Sequence, residues 1–269
     1  MTDQNFEFPE LLDETRRIWN RNARWWDDQI GDGNEFQTRL IEPATERLLA
    51  ITAGERILDI ACGAGRFTRR MAELGARVMA LDYSTEFIER ARHRTASHAQ
   101  IEYHVLDAAR IADVFPESSG RFDKAVCTMA LMDMPELGPM FGALKRVLKP
   151  GGIFVFSVTH PCFHSSSIQR FAETDQEDTG RHSARSGVKV SSYLSPVARK
   201  TEGIIGQPEP HWVFHRPIQL LFQAGFSAGF VVDGLEEPGF ANAAPGKPGV
   251  RWQDMPEIPP MMVVRMRTL

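Results

Sequence analysis

A chain of 269 residues, 42% hydrophobic and 25% charged, can bury the core of one elaborated domain and is too apolar for wholesale disorder. Its formal charge of −4 gives no overall electrostatic pull toward nucleic acid or an anionic membrane. No apolar run approaches the roughly 18 residues that span a bilayer, and Met1 to Glu7 shows no basic region followed by an apolar stretch.

Three scattered cysteines, Cys62, Cys127 and Cys162, make neither a disulfide framework nor a paired zinc pattern, so a cytoplasmic location is expected. In chain order, residues 1 to about 50 read as helical and aromatic-rich, with Trp19, Trp25, Trp26 and Phe36. The tract Gly31-Asp32-Gly33-Asn34 is a turn signal that splits them. Leu40, Ile41, Leu48 and Leu49 give the second helix, from about Glu35 to Ala50, its apolar set.

From Glu55 onward, short apolar runs alternate with amphipathic helices. Arg56 to Ala61 is the first strand; Phe67, Met71 and Leu74 then recur at helical spacing until Gly75 stops them. Ala76 to Leu81 is the second strand, and Ser84 caps a helix carrying Phe87, Ile88 and Ala91. Ile101 to Leu106 and Asp123 to Thr128 are the third and fourth strands. Asp133 and Glu136 fit a capping box with Pro135 in the first turn, which predicts a helix from Asp133 to Lys149. Lys149-Pro150-Gly151-Gly152 ends it, and Ile153 to Val158 is the fifth strand.

This alternation implies a parallel sheet with right-handed crossovers. Residues 161–210 interrupt it with a polar stretch containing histidine and glycine, which reads as an inserted lid. Pro217 to Ala224 is a short helix stopped by Gly225, and Phe230 to Val232 with Met261 to Met266 form a closing strand pair.

Ile57-Leu58-Asp59-Ile60-Ala61-Cys62-Gly63-Ala64-Gly65-Arg66-Phe67 is the most informative segment: a strand, a glycine turn, then a helix. Gly63 and Gly65 let the backbone bend sharply and approach a ligand, and helix amides then face a carboxylate or phosphate. Asp82, at the end of the second strand, can accept from both hydroxyls of a ribose; Asp107, after the third, can read an adenine amino group. All three features sit at strand C-terminal ends, where such sheets bind ligands.

These residues, with Leu106, Ala108, Phe122-Asp123 and Leu148-Lys149-Pro150-Gly151-Gly152, resemble the class I S-adenosylmethionine methyltransferases over about residues 45–160. The resemblance implies that Asp59, Ala61, Gly63, Gly65 and Phe67 surround the methionine end of that cofactor. It further implies that Asp82 takes the ribose, that Tyr83 packs on adenine, and that Leu106, Asp107 and Ala108 contact the base. Met129 would lie near the sulfonium. A dinucleotide dehydrogenase would want a third glycine where Thr68 stands.

Methyl transfer from a sulfonium is a direct displacement that alignment and water exclusion can drive, with a base needed only for a protonated nucleophile. His160 and His164, following the fifth strand, are candidate bases or, equally, hydrogen-bond partners of the lid backbone. Trp25, Trp26, Phe163, His211 and His215 are candidate substrate-pocket residues, although the tryptophans could simply pack the first helix on the sheet and Pro217 places the last two histidines near a helix start. Arg181, Arg185, Lys189, Arg199 and Lys200 make the insertion locally basic, which suits an anionic acceptor or, more commonly, a solvated surface.

Pro161-Cys162 lacks the surroundings of a cytosine-5 methyltransferase, and Cys127-Thr128-Met129-Ala130 lacks the motif of amino-group nucleic-acid methyltransferases, so no nucleic-acid partner is expected. The four histidines lack a companion zinc motif, and no metal is expected. The chain thus reads as one α/β domain: a Rossmann-like seven-strand, mostly parallel sheet with helices on both faces. Its parts are an N-terminal helical cover (1–50), a cofactor-binding core (51–160), a lid insertion after strand five (161–210) and a C-terminal helix and strand pair (211–269). The implied activity is methyl transfer from S-adenosylmethionine to an O, N or C atom of a small molecule, without a membrane partner, by a monomer or homodimer. A sensor or accessory protein that binds the cofactor without turnover is the alternative.

Overall fold

The computed structural model describes residues 7–97, 99–114, 121–165, 168–176, 182–241 and 249–269. Helix α1 (Leu12–Ile30) ends at Gly31, whose φ of 50° no β-branched residue would tolerate. The second expected helix begins with a π-helical turn, Gln37–Ile41, and continues as α2 (Glu42–Leu49). Strand β1 (Arg56–Ile60), helix α3 (Arg66–Glu73), strand β2 (Arg77–Asp82), helix α4 (Thr85–Arg94) and strand β3 (Ile101–Val105) follow in alternation. Ser84 caps α4 by accepting from the Phe87 amide at 3.2 Å.

After the short helix α5 (Ile111–Val114) come β4 (Phe122–Thr128), α6 (Gly138–Val147) and β5 (Leu148–Thr159). The insertion is built from two hairpin ribbons, β6 (Ile168–Gln176) with β7 (His182–Val190), and β8 (Val197–Thr201) with β9 (His211–His215). Helix α7 (Ile218–Ser227), β10 (Phe230–Glu236) and β11 (Met261–Thr268) complete the fold.

The central sheet has seven strands in the order β3-β2-β1-β4-β5-β11-β10. β1 to β5 run parallel, while β11 lies antiparallel to both β5 and β10. This is the expected seven-strand, mostly parallel α/β sheet. Strand alternation divides its core between the two faces. Leu58, Ile60, Phe154 and Phe156 pack with Phe141 and Leu144 of α6 on one side; Ile57, Val78, Val126 and Val155 pack with Met71 of α3 and Ile88 of α4 on the other. Each such fully buried side chain stabilises the fold by roughly 1.5–3 kcal/mol.

Three local expectations change. The helix predicted from Asp133 begins at Gly138, preceded by a 3-10 turn over Leu131–Asp133. Pro135 forces Met134 into an extended conformation (φ −94°, ψ 122°), so Asp133 and Glu136 form no capping box. The carboxylate of Glu7 serves instead, accepting from the Leu137 and Gly138 amides at 3.0 Å each.

Lys149-Pro150-Gly151-Gly152 is drawn into β5 at a register irregularity rather than standing apart as a turn. Gly225 does not stop α7; a Cβ there would lie 2.6 Å from the Met266 sulfur, so its glycine serves helix-to-sheet packing. His211 and His215 belong to strand β9 and not to a helix start.

Candidate functional site

At the end of β1 the chain turns through Ala61 (φ 54°), Gly63 (φ 54°) and Gly65 (φ 72°), all in the left-handed region. Cys62 ties the turn to β2 by donating its amide to the Leu81 carbonyl at 3.0 Å. A Cβ on Gly65 would lie 2.5 Å from the Tyr103 hydroxyl, so space as well as φ requires glycine there.

Asp82 braces the same turn, one carboxylate oxygen accepting from the Gly63 amide (3.0 Å) and the other from Ser84 (2.8 Å). Burial pushes the Asp82 carboxyl up to about 6, against the pull of those two amides. Thr68, where a dehydrogenase would need glycine, instead donates its hydroxyl to Asp59. The other Asp59 oxygen is buried with no hydrogen-bond partner, and burial pushes this carboxyl up to about 7, the neighbouring Asp82 charge adding to the shift.

A cavity of about 220 Å³ opens beside this turn at the C-terminal ends of β1, β2 and β4. Its sheet side is formed by Ala61, Gly63, Phe67, Asp82, Tyr83 and Met129. Its cover comes from Trp19, Trp26, Asp27 and Ile30 of α1 and from Gln37 and Ile41 of the π-helical turn. Met129 is held at the end of β4 with φ 55°, its amide donating to the carbonyl and hydroxyl of Ser157 at 3.0 and 3.1 Å.

Helix α1 is anchored on both flanks. Arg90 and Arg94 of α4 grip the buried Asp27, the latter at 2.9 Å. On the opposite flank the wholly buried Asn22 donates to the Glu209 carbonyl (2.7 Å) and accepts from the Glu209 amide (3.1 Å). Arg17 pairs with the Glu209 carboxylate at 2.6 Å, and Trp212 donates its indole N–H to Glu14 at 2.8 Å.

Of the expected cofactor residues, Ala61, Gly63, Phe67, Asp82, Tyr83 and Met129 line the cavity, whereas Gly65, within the turn, and Asp59, in β1 before it, are not among the lining residues. Leu106, Asp107 and Ala108 follow β3 and are not among its lining residues; the Asp107 carboxylate accepts from the Ala109 amide at 2.8 Å and caps a 3-10 turn. Trp26 lines the cavity and Trp25 does not.

His160 and His164 lie away from it. His160 is buried, its Nδ1 accepting from the Cys162 amide at 3.1 Å and its Nε2 donating to Glu237 at 2.8 Å. Burial holds His160 below the usual imidazole range despite Glu237. His164 donates to the Pro260 carbonyl (3.3 Å) beside the ring of Trp252, and burial pushes it down to about 4. Phe163 stacks on His160, with ring centres 4.6 Å apart. His215 donates to the Tyr193 carbonyl at 2.7 Å and, with His164, borders a second, smaller cavity. In the insertion, Lys189 pairs with Glu173 and Lys200 with Glu14, while Arg181 lies outside the described residues.

The residue that sequence reasoning missed is Asp133. Freed from the helix cap, it lines the cavity beside Met129 and Met134, and its Oδ1 is buried with no hydrogen-bond partner. His211 approaches it from β9, Nε2 to Oδ1 at 3.7 Å, with its ring against Trp19 (4.6 Å between centres) and Trp26 (5.8 Å). Burial pushes the Asp133 carboxyl well above its ordinary value and His211 down to about 4. A carboxylate signal three residues before Glu136 looks like a cap in one dimension; only the pairing of β9 reveals its partner.

Residues 51–213 match the family model of a methyltransferase domain. The chain is 35% identical over 152 residues to a ubiquinone biosynthesis O-methyltransferase of Xanthomonas oryzae pv. oryzae, an alignment covering 55% of this chain and 59% of that relative. A counterpart from Xanthomonas campestris pv. campestris is 33% identical over 160 residues, 58% of this chain and 63% of that one. The chain therefore aligns with about three-fifths of these relatives' length.

Among solved structures, an S-adenosylmethionine-dependent methyltransferase from Mesorhizobium loti superposes with a TM-score of 0.60 at 26% identity, covering 84% of this chain and 96% of that one. A Listeria monocytogenes chain assigned to the same class superposes at 0.62 with 23% identity, covering 85% and 99%. Among the described residues no helix is long and apolar enough to cross a membrane.

Proposed function

The chain belongs to the methyltransferase-domain family, and from that premise we propose that it moves the methyl group of S-adenosylmethionine to a nucleophilic atom of a small molecule. The observation that carries this reading is the cavity at the β1, β2 and β4 ends, framed by the Gly63–Gly65 turn and Asp82. The residues present suit the cofactor. Gly63 leaves the turn without a side chain, a second carboxylate oxygen of Asp59 stands buried and unpartnered, and Asp82 and Tyr83 border the cavity.

The bound cofactor would supply a methyl group already activated as a sulfonium. Gly63 and Gly65 would let the backbone approach its methionine end, Asp82 would take the ribose hydroxyls, and Tyr83 would pack against the base. Trp19, Trp26 and Ile30, which line the cavity, would shield the reacting atoms from water and so strengthen polar contacts inside. The names of the Xanthomonas relatives favour an oxygen acceptor. Polar groups at the cavity wall, Asp133 among them, support turnover over cofactor sensing alone.

Calorimetric titration of the purified protein with S-adenosylmethionine tests the reading. Saturable one-to-one binding is expected, and Asp82→Ala is expected to weaken it by about 1–3 kcal/mol through lost ribose hydrogen bonds. Binding unchanged in that variant would remove Asp82 from the site, and no binding to folded wild-type protein would remove the function.

A further inference from the structure

We propose that Gln207 of the insertion is a positioning residue for the cofactor: through His211 and Glu209 it fixes Trp19 and Trp26, which roof the cavity, and so sets how long S-adenosylmethionine stays bound. This rests on the methyltransferase reading above.

The first observation is where Gln207 lies. Residues 202–210 form a largely exposed loop, with Ile205 91% accessible, yet Gln207 within it is only 6% accessible. A buried amide is costly unless its hydrogen bonds are made. The Gly203 amide donates to Gln207 Oε1 at 3.0 Å, which orients the side chain. Nε2 then donates to the Glu209 carbonyl at 2.6 Å and to His211 Nδ1 at 3.1 Å. With Nδ1 accepting, the imidazole proton sits on Nε2, and burial keeps the ring neutral.

The second is what these two partners hold. Trp19, Asn22 and Trp26 stand at i, i+3 and i+7, on one face of α1. The Glu209 carbonyl that receives Gln207 also accepts from Asn22 at 2.7 Å, and the Glu209 amide donates back to Asn22 at 3.1 Å. His211 packs against the tryptophans on either side of Asn22, its ring centre 4.6 Å from Trp19 and 5.8 Å from Trp26. The loop backbone closes the contact: a Cβ on Gly203 would come within 2.9 Å of both the His211 and Trp26 rings. One side-chain amide therefore ties the loop to the whole of that helix face.

The third is what the face covers. Trp19 packs on Phe87 at 6.3 Å between ring centres, and the Phe87 ring would lie 3.9 Å from a Cβ on Gly63. Arg16, three residues before Trp19, lies over the Tyr83 ring at 5.9 Å. Trp19 and Trp26 both line the cavity. The side of α1 that Gln207 steadies thus lies over the turn and strand end proposed for the cofactor. Rings ordered before the ligand arrives need not be ordered by it, which slows its escape.

Cofactor exchange tests the role. Stopped-flow tryptophan fluorescence reads uptake of S-adenosylmethionine and its displacement by excess S-adenosylhomocysteine. Gln207→Leu should release S-adenosylmethionine about tenfold faster than wild type, with association changed less than about threefold. Gln207→Glu keeps the size and changes only the polarity. Its carboxylate would face the Glu209 carbonyl and the Nδ1 lone pair of His211, a repulsion that a proton shared with the imidazole relieves. The titratable and charged groups around this position are His211 with Asp133 beyond it, Glu202 in the loop, and Glu209 with Arg17 and Arg21 of α1. Relative to wild type at the same pH, Gln207→Glu should release the cofactor about tenfold faster at pH 8 and within about threefold at pH 6, while the leucine variant keeps one ratio at both.

Should a Gln207 variant not fold, Gly203→Ala, which presses a methyl on His211 and Trp26, should raise the release rate about threefold. Release within about twofold of wild type in the folded variants would overturn the proposal, as would a glutamate variant that matches wild type at pH 8, since packing alone then explains the residue. Wild-type protein that takes up no S-adenosylmethionine in calorimetry is seen first, and removes the cofactor reading together with this role.

Discussion

Gly65 shows how much of the site a single position can fix. Its φ of 72° strains any side chain, and an added Cβ would meet the Tyr103 hydroxyl at 2.5 Å. Gly65→Ala is expected to cost about 1–3 kcal/mol in urea denaturation, with Tyr103→Phe recovering only the steric share. Full recovery would assign the whole effect to the hydroxyl. This residue was legible because glycine spacing after a strand is a local signal. Asp133 was not, since its carboxylate satisfies a helix-cap pattern locally and acquires its real neighbours only when Pro135 turns the chain. Thr68 was read only as a missing glycine, although its hydroxyl holds Asp59.

At the scale of elements, α1 matters because it joins parts of the chain that are far apart. Its buried Asn22 pairs with both backbone groups of Glu209, 187 residues away, while Asp27 is held by Arg90 and Arg94 of α4. Asn22→Ala leaves those two groups at the α1–insertion junction without their partners, and a loss of about 1–3 kcal/mol is expected from denaturant melts. A stability change within about 0.5 kcal/mol would mean that the insertion docks through Arg17 and Trp212 instead. The apolar spacing of α1 and α2 was readable, but the π-helical turn that brings Gln37 and Ile41 to the cavity was not, because it differs from an α-turn by one residue without any marker. The ribbon β8–β9 was likewise invisible: residues 161–210 carry no clean alternation, and His211 looked like the prelude to a helix.

For the whole molecule, the alternating pattern from Arg56 to Thr159 was enough to infer the sheet, because parallel strands buried on both faces read as short apolar runs. Its buried carboxyls give folding stability a pH signature. Asp59 titrates near 3.8 when unfolded and about 7 when folded, so between those values the folded chain holds a proton that the unfolded chain has released. The stability this confers is fully present below the unfolded value and is lost as pH rises toward 7. His164 and His211, lowered from 6.5 to about 4, act in the opposite sense over much of that window, which flattens the total profile. The difference between wild type and Asp59→Asn isolates the carboxyl: the wild type should lose stability relative to the variant, by a few kcal/mol, between pH 5 and pH 7. Parallel profiles in guanidinium melts at the two pH values would show that Asp59 titrates normally.

Ala61 and Met129 end neighbouring strands with φ of 54° and 55°, a conformation that costs a non-glycine residue about 1–3 kcal/mol. Glycine at either place would relax the backbone, and heat tolerance left unclaimed by this fold resides there. The same relaxation would let the turn after β1 and the wall after β4, the two sides of the proposed cofactor site, drift apart. Thermal endurance and a well-defined gap between donor and acceptor therefore draw on the same two residues in opposite directions.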